Sequence, residues 1–522
     1  MLAMHDVVFL SRFQFGMTAL YHFLFVPLTI GLSMMLGIME TVYFITRRPI
    51  WRTMTQYWGI LFGINVAMGV ATGVTMEFQF GTNWAYYAQY VGDVFGTPLA
   101  IEGLMAFFLE ATFVGMFFFG WNRLSRGAHL IVTWLLAAGA SFSALWILIA
   151  NAWMQHPVGS HFNFHTMRME LTSLYEVIFN EVAQAKFVHT ISAGYVTGSI
   201  FVLAVSAYFL LQGKHVSFAK RSMTVAAAFG LASSLCVVVL GDESGYVADL
   251  NQKMKIAAME SMWVTEPAPA PLTLFGIPNE AEHTTKYAIK IPYLLGLIAT
   301  RSLHQPVYGI FDLVDEARAD IKKGLLAYRA LNILQKNPMD KQAEVLFEKN
   351  QDFLGYALLL ERYTDDILNA APDVQEKAAW DTVPNVFPMF WTFRVMVGLG
   401  FFFILLFSVA YYLSVRRYLL KYKWFLWISL LSLPLPWIAA EFGWIVAEYG
   451  RQPWVVEGKL PTFLAISSNT AAHVWVSLAG FIFFYSLLAV IEIYLMIKYI
   501  RLGPTSLFHP LDFSITEEVS HA

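Results

Sequence analysis

The sequence predicts an all-α integral membrane protein with about nine transmembrane helices and one large loop outside the membrane. Three observations carry this. Of 522 residues, 57% are apolar and only 14% charged, against about a quarter charged in a typical soluble domain. Runs long enough to cross roughly 30 Å of hydrocarbon recur near residues 16–45, 57–80, 98–121, 129–152, 186–212, 221–241, 389–413, 424–447 and 470–498. About half of the charged residues are gathered between the sixth and seventh runs.

The first run follows MLAMHDVVFLSRFQFGMTAL, which has no basic n-region and no small-residue cleavage site, so it is expected to stay as a helix rather than be removed as a signal peptide. Alternate short connections are basic: TRRPIWR (46–52), WNRLSRGAH (121–129), QGKHVSFAKRS (212–222), SVRRYLLKYKW (414–424) and the tail after IKYIRLG (497–503). Connections such as GTNWAYYAQYVGDVFGT (81–97) carry no basic residue. The positive-inside rule then puts the N-terminus outside and the C-terminus in the cytoplasm. This divides the chain into residues 1–241 with six helices, an outer loop at 242–388, and residues 389–522 with three helices and a cytoplasmic tail. Within the loop, TEPAPAPLTLFGIPNE (265–280) is expected to be extended or turned, because its prolines disfavour helix. From FDLVDEARADIKKGLLAYRALNILQK to LGYALLLERYTDDIL the apolar residues fall at helical spacing and predict amphipathic helices.

A net charge of -3 and short scattered basic clusters argue against a nucleic-acid partner. The single cysteine, Cys236, excludes an internal disulfide, a cysteine metal cluster and a CxxCH haem attachment. Function is therefore sought among ionisable residues inside apolar runs, each of which costs roughly 2.5–3.5 kcal/mol on insertion scales and needs a partner or a task. These are His22, Glu102, Glu110, Lys186, His189, Arg394 and Glu448, together with Glu441, Trp444 and Arg451 in AEFGWIVAEYGRQPW. At about 100° per residue, Glu441 and Glu448 are expected on one face with Trp444 between them, and Glu102 and Glu110 point broadly the same way. Such stripes suit proton conduction or counter-charge, and equally a structural ion pair. His22, His189 and His473 lie within the spans, and each reads as a helix–helix hydrogen-bonder or a ligand, with the first reading favoured for His473. Met396 is one of 22 methionines and reads as packing or as the second axial ligand of a His/Met haem, with Arg394 offsetting a propionate.

In order along the chain, LYHFLFVPLTIGL, NVAMGVATGVTMEFQFGTNW, IEGLMAFFLEATFVGMFFFGW, KFVHT, GDESGY, FRVMVGLG and GRQPW resemble subunit I of the cytochrome bd quinol oxidases, from about Leu10 to Gly503. The resemblance implies two haem b groups, one low-spin and one high-spin, and haem d, a chlorin. It implies that His189 and Met396 hold the low-spin haem b with Lys186 and Arg394 nearby, and that Glu448 binds the high-spin haem b beside Trp444 and Arg451. His22 is implied as ligand of one of the oxygen-reducing pair, read as haem d with the high-spin haem b as the alternative. Glu102 and Glu110 match acids by the oxygen site and along the proton path, and Lys255 and Glu260 in LNQKMKIAAMESMW match quinol contacts. The implied setting is the bacterial inner membrane, with a second subunit and perhaps small single-helix subunits, ubiquinol or menaquinol, dioxygen and lipid as partners. The implied reaction is oxidation of quinol outside and reduction of dioxygen to water with cytoplasmic protons, electrons passing from the low-spin haem through the high-spin haem b to haem d, without a pump. A haem–copper oxidase would need more membrane histidines and a His-His pair, and the sequence has no HH dipeptide. A secondary transporter would show repeated halves, and a scaffold would not need the four ligand positions.

Overall fold

The computed structural model describes residues 2–507, so the expected cytoplasmic tail lies largely outside the described residues. Nine helical stretches in it are long and apolar enough to cross a membrane. In chain order, α1 (Leu2–Phe23) and α2 (Val26–Thr46) form the first, α3 (Pro49–Thr82) the second, and α4 (Ala85–Ile101), a π-helical turn (Glu102–Phe107) and α5 (Phe108–Phe119) the third. The fourth is α6 (Arg126–Gln155), followed by a hairpin of β1 (Ser160–Asn163) and β2 (Arg168–Leu171). A short α7 (Leu174–Ile178) leads into α8 (Glu181–Leu211), the fifth, and α9 (Val216–Asn251) is the sixth.

The segment 252–385 opens with α10 (Lys253–Met259) and a hairpin of β3 (Leu272–Asn279) and β4 (Thr284–Ile291). It continues through α11 (Ile310–Lys336), α12 (Lys341–Asn350), α13 (Leu354–Leu358) and α14 (Pro372–Trp380). Then come α15 (Val386–Val415), α16 (Lys423–Leu431), α17 (Leu435–Trp444) with a π-helical turn (Ile445–Tyr449), a small pair of β5 (Trp454–Val456) and β6 (Leu460–Pro461), and α18 (Ala471–Leu507).

Helix follows hydropathy here, but the boundaries differ from the sequence expectation at three places. The expected loop 81–97 is mostly helix α4, and GDESGY lies inside α9, which continues ten residues beyond Gly241 to Asn251. Polar residues at a helix end are solvated there and give no hydropathy signal, although the backbone ladder continues. The first run breaks at Leu24–Phe25, just before Pro27, which has no N–H to extend the ladder. Trp437 Nε1 donates to the Leu24 carbonyl at 2.7 Å and Asn65 Nδ2 to that of Phe25 at 2.8 Å, which satisfies groups that would otherwise be costly in hydrocarbon. The break leaves His22 in the last turn of α1.

The close crossing of α2 and α8 rests on glycine. A Cβ on Gly31 would come within 2.7 Å of Gly198 Cα, so small residues let the two backbones touch. The chain outside the spans folds into its own cores. Ile256, Trp263, Val314, Ile321, Leu360, Ala379 and Trp454 form one cluster. Ala327, Leu331 and Phe347 of α11 and α12 join another with Trp153, Phe162 and Val456. Segment 252–385, the β1–β2 hairpin and the β5–β6 turn therefore lie together at one end of the bundle.

Candidate functional site

That end of the bundle holds a connected polar cluster around Glu448. Asn151 and Gln155 sit one turn apart on α6, Lys186 projects from α8, and Glu448 lies on the π turn after α17. Glu448 Oε1 accepts from Asn151 Nδ2 at 3.0 Å and Gln155 Nε2 at 3.1 Å, and lies 3.5 Å from Lys186 Nζ. Its Oε2 pairs with Arg451 Nε at 2.7 Å. Lys186 also donates to Asn151 Oδ1 and stands 5.4 Å from the centre of the Trp444 ring. Trp444 in turn meets Phe23 edge to face at 5.1 Å. The indole thus spans from Lys186, one turn before His189, to the residue next to His22.

Glu441 is separate from this cluster. Both of its oxygens are buried without a hydrogen-bond partner among the described residues. The π turn Ile445–Tyr449 begins after Glu441 and contains Glu448, and each such turn inserts about one residue's rotation, roughly 100°. The sequence expectation of one shared face assumed an uninterrupted α-helix, and the structure separates the pair. The π turn Glu102–Phe107 acts in the opposite sense. Glu102 Oε1 accepts from Ser143 Oγ at 2.6 Å, and the backbone of Glu110 lies over Gly139, one turn earlier on α6. The Glu102 carboxylate and the Glu110 backbone therefore both lie against α6.

His22 Nδ1 is 2.8 Å from Thr72 Oγ1, which also lies 3.0 Å from the Met68 carbonyl and 3.1 Å from that of Gly69. With the threonine proton on either carbonyl, its oxygen accepts from Nδ1–H, the tautomer that leaves the Nε2 lone pair to act as a ligand. A Cβ on Gly73 would lie 3.6 Å from Nε2, so glycine keeps the ring's flank open. His189 Nδ1 is buried with no hydrogen-bond partner among the described residues, and Gly241 flanks it at 3.6 Å by the same measure. Met396 Sδ would lie 3.1 Å from a Cβ on Gly443. Two histidines with an uncommitted nitrogen and a thioether, each beside a glycine that keeps space open, fit the donor set and clearance that a planar tetrapyrrole requires. Glu448 fits only in part, since protein donors already engage both of its oxygens. Among the described residues no three His, Cys, Asp or Glu side chains cluster as a metal site; a haem needs only one or two axial donors.

Arg394 does not face this cluster. It pairs with Glu260 at 2.7 Å and donates to the carbonyls of Thr273 and Met259, tying the start of α15 to α10 and β3. Burial pushes the Glu260 carboxyl above the usual carboxylate range, while Arg394 pulls it the other way. Lys255, the other implied quinol contact, turns toward α6. Its Nζ donates to Gln155 Oε1 at 3.0 Å and Gln252 Oε1 at 2.6 Å. The structure thus joins Lys255, Lys186, Trp444, Glu448 and Arg451 in one region, and places Glu260 with Arg394 in another. Thr72, Asn151, Gln155, Ser143, Gln252 and Glu457 had no signal in the sequence, because each is a common polar residue whose partner is far away along the chain.

Comparison with known proteins gives one consistent result. The sequence matches the family described as cytochrome bd terminal oxidase subunit I over residues 10–504. It is 48% identical over 504 residues to cytochrome bd-II ubiquinol oxidase subunit 1 of Escherichia coli K12, covering 97% of this chain and 98% of that one. It is 35% identical to cytochrome bd ubiquinol oxidase subunit 1 of Bacillus subtilis 168, over 95% of this chain and 93% of the other. Among solved structures, the bd oxidase from Geobacillus thermodenitrificans superposes with a TM-score of 0.77 at 26% identity, covering 96% of this chain and all of the matched chain.

Proposed function

Because the chain belongs to the cytochrome bd terminal oxidase subunit I family, we propose that it is the haem-bearing subunit of an electrogenic oxidase that oxidises membrane quinol and reduces dioxygen to water. Membership itself implies haem cofactors, a second subunit and a quinol substrate, and the nine candidate spans make the chain a multi-pass membrane protein. The relatives at 48% and 35% identity are both named ubiquinol oxidases, so ubiquinol is the substrate of this reading. The chain sits in the bacterial inner membrane with its N-terminus outside, and segment 252–385 is the outer loop that receives quinol. Small single-helix subunits complete the complex.

His22, His189, Met396 and Glu448 are the iron ligands of this reading, for two haem b groups and a haem d. Bound haem supplies one-electron transfer and dioxygen chemistry that side chains lack. The protein residues do the rest. Thr72 holds His22 in the tautomer that presents Nε2. Lys186 and Arg451 pair with the Glu448 carboxylate, and Trp444 fills the space between the helices that carry the histidines. Glu260, locked by Arg394, and Lys255 contact quinol. Glu102 and Glu110, aligned against α6, carry protons inward from the cytoplasm. Charge separates because protons leave and enter on opposite sides, without a pump.

The observation that carries this reading is the unbroken hydrogen-bonded link from loop to bundle, Lys255 to Gln155 to Glu448. Oxygen uptake by the purified two-subunit complex with ubiquinol as donor tests it. The intact complex consumes oxygen, and Glu260→Ala lowers the rate tenfold or more at unchanged haem content. A full rate in Glu260→Ala would remove that residue from the quinol site, and no quinol-dependent uptake in the intact complex would overturn the function.

A further inference from the structure

Lys255 stands at the centre of a symmetric arrangement of which the reading above uses only the half toward Glu448. Two glutamine amides turn their oxygens toward its ammonium group and their nitrogens toward carboxylates. Gln155 Nε2 donates to Glu448, and Gln252 Nε2 donates to Glu457 Oε2 at 2.9 Å. Flipping Gln252 would set its oxygen against the Glu457 carboxylate and its amine against Lys255, so its orientation depends on both charges. Glu457 is fixed on the turn between β5 and β6, where its own N–H donates to the Met154 carbonyl at 2.8 Å. A cavity of about 270 Å³ opens beside these groups, lined by Lys255, Gln252 and Glu457. Lys255 is only 5% exposed.

We propose that Lys255, Gln252 and Glu457 form a proton-release site for quinol oxidation, in which uncharged Lys255 accepts a quinol proton and Glu457, acting through Gln252, positions Lys255 and sets its proton affinity. The proposal rests on the reading that Lys255 contacts quinol. In each cycle a quinol O–H bond breaks, its electron pair stays on the oxygen, and an N–H bond forms on Nζ. The haem that family membership implies would supply the one-electron acceptor for the quinol, and Nζ then sheds its proton into the cavity. Two such cycles account for both protons and both electrons of one quinol.

The electrostatics suit this exchange at neutral pH. Burial pushes the Lys255 amine down to about 7 and the Glu457 carboxyl up to about 7. Lys186 of α8 and Arg451 lower the lysine further, while Glu448 and Glu457 raise it. The remaining charged groups at the cavity are Lys253 of α10 and Glu316 and Asp320 of α11, with Tyr356 of α13 also facing it. Each charge change on Lys255 is therefore met by a carboxylate one amide away.

The pH profile of ubiquinol oxidation by the purified complex tests the assignment. The intact complex shows a rate that rises through about pH 7 as Lys255 loses its proton. Glu457→Gln removes the compensating anion, so this limb moves to lower pH by roughly one unit, with the rate above pH 8 and the haem content unchanged. Gln252→Leu, which cuts the bridge and leaves both charged groups in place, moves the limb by a smaller amount and carries the test if Glu457→Gln fails to assemble. An unmoved limb in an assembled variant overturns the proposal. Lys255→Met separates the two levels of the argument: if it keeps the full rate and profile, Lys255 does not contact quinol and the underlying reading fails. If it slows oxidation while Glu457→Gln and Gln252→Leu leave the limb in place, the quinol contact stands and the proton-release site does not.

Discussion

Two π-helical turns interrupt two carboxylate-bearing helices, with opposite results. In the third span the turn Glu102–Phe107 precedes Glu110, and the Glu102 carboxylate and the Glu110 backbone both lie against α6, at Ser143 and Gly139. In the eighth, the turn Ile445–Tyr449 separates Glu441 from Glu448. A separation of eight residues is about 80° out of phase on an α-helix, and one inserted residue nearly cancels it; a separation of seven is nearly in phase, and the same insertion spoils it. One backbone device can therefore assemble a pair of acids or isolate one of them, depending only on their spacing. The consequence for Glu448 is three hydrogen-bond donors and an ion pair with Arg451, and for Glu441 none.

The largest expected effect tests that contrast directly. Glu448→Ala leaves Lys186 and Arg451 buried without their anion and is expected to cost about 3–5 kcal/mol, measured as a fall in thermal unfolding temperature and in retained haem. Glu441→Gln removes no partnered group and should cost less than about 1 kcal/mol. Equal losses in the two variants would break the comparison. Ser143→Ala removes a hydrogen bond to a carboxylate and is expected to cost about 1.5–3 kcal/mol; oxygen uptake should slow as well, because Glu102 loses its orientation. Thr72→Val removes one ordinary hydrogen bond, about 1 kcal/mol, yet frees the His22 ring to change tautomer. Its signature is an altered absorption spectrum for one haem while the others are unchanged, and an unaltered spectrum would contradict the positioning role.

A pH-dependent effect belongs to Lys255 and Glu457, whose shifts act over separate windows. The folded protein binds fewer protons at Lys255 than the unfolded chain between about 7 and the ordinary 10.5, so stability rises with pH there. At Glu457 it binds more between the ordinary 4.5 and about 7, so stability falls as pH rises through that range. The contribution of this pair is lowest near pH 7. Thermal unfolding across pH 5 to 10 should show this dip, and Lys255→Met should flatten its alkaline side.

Much of this was legible in the sequence, and physics explains which parts. Hydropathy is a sum over some twenty residues, so it registers every span and is insensitive to where a helix ends in polar residues, as at Ala85 and Asn251. The amphipathic helices α11 and α12 followed from periodicity for the same reason. The π turns left no trace, since one extra residue in a turn changes a helix face by about 100° without changing composition. Pro27 was visible, but only the structure shows that the break it permits falls next to His22 and is satisfied by Trp437 and Asn65. Ionisable residues in apolar runs stood out because each is costly there, which is why His22, His189 and Glu448 could be singled out by residue type, whereas Met396 was singled out by its motif. Their orienting partners are cheap polar residues with no such cost. Lys255 and Glu260 were both implied as quinol contacts by the resemblance alone, and α10 directs one toward Gln155 and the other toward Arg394.

The most direct test of the central claim is the dithionite-reduced minus air-oxidised absorption spectrum of the purified complex, with extraction of its pigments. The account predicts two b-type signals together with a long-wavelength chlorin band. A complex that contains both subunits and shows no haem absorption would contradict it.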